Sequence, residues 1–148
     1  MFLTFEERIA LPPAVVYAYF RSPEDWVRLY GAFGAVERLE DGWRSVRLQG
    51  FPFPLVAKIV VDEPERRVRW TFRGFWEGEG EVRFAPSEGG VIVSGHEDIR
   101  PRGLRWLGPV AEWAYLDRRF RAIWALGFRR LHKQAARAHA GVAVMAAS

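Results

Sequence analysis

The sequence predicts an α+β domain in which a curved antiparallel sheet of seven strands wraps around one long C-terminal helix, with two short helices after the first strand. Three observations lead there. Short alternating apolar and polar segments recur between turn signals over residues 35–99, the spacing of an antiparallel meander. From 110 to 140 there is no proline, and apolar residues return at helical spacing. The 148 residues are 49% hydrophobic and 27% charged, which suits one self-sufficient core and excludes intrinsic disorder. We place one domain over 1–140 and expect 141–148, small and apolar, to be a disordered tail.

The elements follow in order. Residues 2–10 set Leu3, Phe5, Glu7 and Ile9 against Thr4, Glu6 and Arg8, a strand with two faces. Pro12-Pro13 stops it and suits a first helical turn, so a short helix follows over 14–20. Ser22-Pro23-Glu24-Asp25 reads as an N-cap with acids behind it and opens a second helix to about Tyr30, ended by Gly31 and Gly34. Strands are expected near 35–39, 43–48, 55–61, 68–72, 80–84 and 91–99, separated by Gly- and Pro-containing turns. The long helix carries Trp113, Leu116, Phe120, Ile123, Trp124, Gly127 and Leu131 on one face. Such a helix must bury that face, and the sheet is the only large surface available. Gly127 costs about 1 kcal/mol against alanine, so it marks a close approach, expected to be to the sheet.

Composition narrows the chemistry. The chain has no cysteine, which removes thiol nucleophiles, disulfides and cysteine-ligated metals. No apolar run reaches the length of a membrane span. Glu6, Glu7 and Arg8 stand where a secretory leader needs an apolar core, so a cytoplasmic protein is expected. The net charge is +4, compatible with an anionic partner without requiring one.

The opening Ile9-Ala-Leu-Pro-Pro-Ala-Val-Val-Tyr17, the stretch Ser22-Pro-Glu-Asp-Trp26, and the hairpin run from Val68-Arg-Trp-Thr-Phe72 to Phe84-Ala-Pro-Ser-Glu-Gly-Gly90 together resemble the START-like, or SRPBCC, superfamily. The family's fold is called the helix-grip, and the resemblance covers residues 1 to about 138. The proline–tryptophan pair often found in the family's second helix is missing. The resemblance implies a pocket between helix and sheet for an apolar small molecule, rimmed by the connections 31–34, 49–54, 74–78 and 100–109. Each of these carries large aromatics: Phe33; Phe51 and Phe53; Phe75 and Trp76; Trp106. They form either a greasy mouth or the capped end of the core.

Three acids fall near the expected interior. Glu7 and Glu97 lie in register with inward apolar residues. Asp117 sits about 40° from the centre of the helix stripe, where it contacts a ligand or pairs with Arg121 one turn on. Carboxylates sharing a pocket would bind a cation or serve as acid and base; a bulge or register shift would turn the strand acids outward. His96 points away from Glu97's face, His132 lies about 100° off the stripe and His139 stands near the helix end, so no zinc spacing exists. No serine sits in a nucleophile elbow, and Gly78-Glu-Gly80 precedes a strand, which excludes a dinucleotide loop.

The reading is therefore binding or carriage of a small hydrophobic or amphipathic ligand (lipid, quinone or polyketide-like). The residues expected to line the site are Phe51, Phe53, Trp70, Phe72, Phe75, Trp76, Glu97, Trp106, Trp113, Asp117, Phe120 and Trp124. No catalytic residue, metal or cofactor is assigned. One alternative is a cyclase/dehydrase-like enzyme using a cavity carboxylate. The other is a protein- or ribosome-interaction module working through the basic helix face, where Arg118, Arg119, Arg129, Arg130 and Lys133 would make weak contact with an anionic surface. Nucleic acid is not an expected partner. Seven tryptophans and eleven phenylalanines filling the interior completely would leave only the interaction module, and rings that leave room for no more than a water or two would end the expectation of a ready-made hollow.

Overall fold

The structure is a computed structural model that describes residues 1–31, 33–49, 53–102 and 111–147; the side chains of Phe33, Leu48, residues 111–113, Ala143, Val144, Ala146 and Ala147 lie outside that description. The chain runs β1 (Phe2–Ile9), α1 (Pro13–Tyr17), α2 (Pro23–Tyr30), β2 (Phe33–Arg38), a 3-10 turn (Glu40–Gly42), β3 (Arg44–Leu48), β4 (Leu55–Glu63), β5 (Arg67–Arg73), β6 (Trp76–Ser87), β7 (Gly90–Pro101) and α3 (Ala111–Ala147). The seven strands form one antiparallel sheet in the order β1-β7-β6-β5-β4-β3-β2. After β1 the chain crosses by α1 and α2 to the far edge, then returns strand by strand until β7 pairs with β1. This is the α+β architecture the sequence predicts.

Local chemistry sets the corners. Ser22 caps α2, its Oγ accepting from the Asp25 N–H at 3.2 Å, with Pro23 in the first turn. Gly31 ends α2 in the left-handed region at φ 64°, its N–H donating to the Val27 carbonyl. Arg130 reaches from α3 to donate to the Leu29 carbonyl at 3.0 Å, closing the same helix end.

The long helix buries Phe120, Ile123, Trp124, Phe128, Leu131 and Ala135. Gly127 sits in that stripe, but its close neighbour is α2 and not the sheet: a Cβ there would stand 2.7 Å from Tyr30 Cε1 and 3.4 Å from Leu29 Cγ. The helical period identifies the apolar face without identifying what covers it. α3 also continues to Ala147, through the segment expected to be a disordered tail. β6 runs beyond the expected 80–84 at both ends, and its N-terminal extension passes through Gly78, which adopts φ 139°, a conformation other residues rarely take. Among the described residues no helix is long and apolar enough to cross a membrane.

Candidate functional site

Inward side chains of neighbouring strands align in rows across a sheet. One row runs Ile59, Trp70, Gly80, Glu97 and Leu3, from β4 to β1. Gly80 makes the row possible: a Cβ at that position would stand 2.4 Å from Trp70 Cε2 and Nε1, so the indole lies directly over the glycine. The next inward side chain in the row is the carboxyl of Glu97.

Glu97 is 6% exposed and accepts a hydrogen bond from Trp124 Nε1 at 3.0 Å. Burial disfavours its charged form and pushes the carboxyl from 4.5 up to about 7, while the indole donor pulls it partly back. Tyr30 comes from α2. Its phenol lies well above its usual 10, first because it is buried and then because a negative charge on Glu97 opposes a second one.

Around this acid the walls are rings. The hollow between sheet and helices is lined by Phe20, Trp26, Tyr30, Leu55, Trp70, Phe72, Glu97, Phe120, Ile123 and Trp124. Trp124 is the hub, with ring centroids 4.3 Å from Phe5, 5.5 Å from Tyr30, 6.0 Å from Phe20 and 6.4 Å from Trp70. The free space is about 30 Å³, room for on the order of two water molecules. The rings therefore plug the interior down to that space: the ready-made, ligand-sized hollow that the sequence implies is not formed, and a guest needs rings to move aside.

A chain of aromatics leads outward from the hollow. Phe120 meets Trp76 edge-on at 5.5 Å, Trp76 meets Phe75 at 4.9 Å, and Phe75 stacks on Phe53 at 4.1 Å. Phe53 is 45% exposed, so this chain begins at the surface.

Of the twelve residues expected to line the site, Trp70, Phe72, Glu97, Phe120 and Trp124 do so, and Phe53, Phe75 and Trp76 form the outward chain. Phe51, Trp106 and the side chain of Trp113 lie outside the described residues. Asp117 does not line the hollow. It pairs with Arg121 at 2.8 Å at the edge of the helix stripe, the structural arrangement of the two considered above. Glu7 faces inward on β1 but at the far end, half-exposed and bonded to His132 Nε2 at 2.9 Å. Among the described residues Glu97 is thus the one carboxylate on the hollow.

Phe20, Trp26, Tyr30, Leu55 and Ile123 line the hollow without having been expected from sequence. The signal for α2 was present, since Trp26, Leu29 and Tyr30 recur at i, i+3 and i+4 and all are buried. The basic face also divides: Arg130 caps α2 and Arg119 donates to the Gln49 carbonyl, so neither is simply displayed to solvent.

The chain matches the family model described as polyketide cyclase / dehydrase and lipid transport over residues 3–137. No curated protein matches it significantly. Among solved structures it is similar to a protein from Deinococcus radiodurans at 25% identity, over 68% of this chain and 83% of that one, with a TM-score of 0.56. A conserved protein from Geobacillus kaustophilus shares 11% identity over 93% of this chain and 96% of its own, with a TM-score of 0.71. The Aha1 dimer from Colwellia psychrerythraea also shares 11%, over 89% and 93%, with a TM-score of 0.60. The last two likenesses show the fold alone.

Proposed function

We propose, for a chain that belongs to the polyketide cyclase / dehydrase and lipid transport family, that it binds a small hydrophobic or amphipathic ligand in the hollow between sheet and α3. The observation that carries this reading is a buried, hydrogen-bonded carboxyl set into a hollow otherwise walled by apolar side chains and rings. Ligand sites are commonly built this way, with apolar walls for affinity and a few polar groups for orientation. Lipids, quinones and polyketide-like molecules all have this character.

A guest larger than two waters enters only if rings move aside, and the chain from Phe53 to Phe120 is the path we assign to it. Removing apolar area from water supplies about 25 cal/mol per Å² before ordering costs, so a modest displacement of rings is repaid by a mid-sized ligand.

The test is saturable binding of a neutral naphthylamine dye, followed by fluorescence, in the wild type and in Leu55→Phe. The larger ring fills the hollow from β4. We expect one dye per chain in the wild type and a loss of tenfold or more in the variant, with melting confirming that it folds. Dye binding that the variant leaves unchanged refutes the assignment and returns weight to the interaction module.

The enzyme reading keeps one supporting observation. A carboxyl at about 7 is poised to exchange protons near neutrality. It lacks a second carboxylate on the hollow among the described residues, so we assign binding and not turnover.

A further inference from the structure

We propose that the ligand's polar end is a cationic nitrogen, a protonated or methylated amine, seated against Glu97. The inference rests on the reading of the hollow as a ligand site and specifies what that site selects.

Among the described residues two acids are deeply buried, and the fold treats them differently. Glu81, on the outer face of β6, is 6% exposed and is surrounded by Arg67, Arg69 and Arg83. Glu97, equally buried on the inner face, has no such company: among the described residues no Lys, Arg or His pairs with it. The groups that face it can be named element by element. Leu3 lies opposite on β1 and Gly80 on β6, Trp70 covers that glycine from β5, Tyr30 arrives from α2 and Trp124 from α3. Tyr30 is the only titratable group among them, and its phenol stays neutral.

A buried carboxylate without a counter-charge is strongly disfavoured. Yet the one hydrogen bond Glu97 receives among the described residues comes from an indole N–H, a donor that favours the anion. The missing element is a positive charge from outside. The walls suit one, because indole and phenol rings attract cations through their quadrupoles, more strongly where water is excluded. An anionic head would meet Glu97 with like charge. A neutral head would leave the ionised acid uncompensated. The free volume accepts a small head, with the apolar tail directed along the ring-lined path.

The proton balance follows. Burial holds the carboxyl up to about 7, so below that pH an ammonium ion enters by displacing the Glu97 proton to solvent. Above it the carboxylate is already ionised. Cation affinity therefore falls as pH drops below about 7, approaching tenfold per pH unit.

The experiment compares isosteric probes: hexylamine, 1-hexanol and hexanoate, titrated into the full chain at pH 8 and pH 6. Calorimetry gives affinity, and the Trp124 indole N–H resonance reports the site. We expect hexylamine to bind at least tenfold tighter than hexanol at pH 8, hexanoate not to bind, and the amine advantage to shrink at pH 6. In Glu97→Gln the alcohol should bind as before while the amine loses its advantage. Hexanol binding as tightly as hexylamine, or an amine preference that survives in Glu97→Gln, overturns the proposal while leaving the ligand site standing. A 2-ketone isostere that outcompetes the amine and tightens as pH falls also overturns it, pointing to a carbonyl acceptor for a protonated Glu97. Failure of every probe to reach the Trp124 resonance removes the ligand site itself, and this inference with it.

Discussion

Replacing Glu97 with glutamine tests the electrostatics of the hollow through folding alone, with no ligand needed. The carboxyl titrates at 4.5 when unperturbed and at about 7 when folded. At 1.36 kcal/mol per unit, that difference is worth about 3 kcal/mol. Its sign follows from which state holds the proton. Between about 4.5 and 7 the folded chain keeps the Glu97 proton and the unfolded chain releases it, so stability falls as pH rises through that window. Above about 7 the loss is complete. Glutamine is neutral throughout and keeps a carbonyl for the Trp124 donor. Urea or thermal unfolding of both proteins from pH 4.5 to pH 8 isolates the contribution, because every other ionisable residue is common to both. The variant should match the wild type near pH 4.5 and exceed it by about 3 kcal/mol at pH 8, equivalent to about 10 °C in Tm for a chain of this size. Parallel stability curves for the two proteins would refute the reasoning, since they would mean that Glu97 titrates alike in both states.

Three further substitutions probe the supports of the site. Trp124→Phe removes the donor to Glu97; we expect a loss of about 1–3 kcal/mol at pH 8 and a smaller one at pH 5, where the acid is neutral, read by the same unfolding assay. Gly127→Ala gains helix propensity but drives a methyl into Tyr30, so overpacking of about 1–3 kcal/mol outweighs a gain of about 1 kcal/mol and Tm falls. Ser22→Ala removes the α2 cap and should cost about 1 kcal/mol in urea unfolding.

How much of this was legible in the sequence differs between levels. Alternation along β1 and β7 placed Leu3, Phe5, Glu7, Ile9, Val91, Val93, Glu97 and Ile99 on one face, and the structure puts them there because strand side chains have only two directions to choose from. The i,i+4 spacing anticipated the Asp117–Arg121 pair for a similarly local reason. Tertiary neighbours were another matter. Gly127 announced a close approach, but whether the sheet or α2 would make it depends on the crossing of two elements a hundred residues apart. Gly80 looked like the start of a strand and is the floor beneath Trp70, a role set by a ring on the adjacent strand. Glu7 and Glu97 share a face and a residue type, yet one meets a histidine near solvent and the other an indole in the interior, because α3 presents Trp124 over the level of Leu3 and Glu97 and His132 over the level of Glu7. The free volume was not readable at all. It is a small difference between the space the sheet encloses and the bulk of the rings inside it, and composition supplies only the second.

The central claim is that the ring-lined hollow opens to a guest that comes to rest beside Glu97. Intermolecular nuclear Overhauser effects between a bound hexyl-chain amphiphile and the Trp124 indole N–H measure that directly. The account predicts cross-peaks from the probe's head-proximal methylenes to Trp124 and Trp70 at saturation. Saturable binding whose cross-peaks reach only Phe53, Phe75 or the outer face of α3, with the Trp124 resonance unmoved, would contradict it.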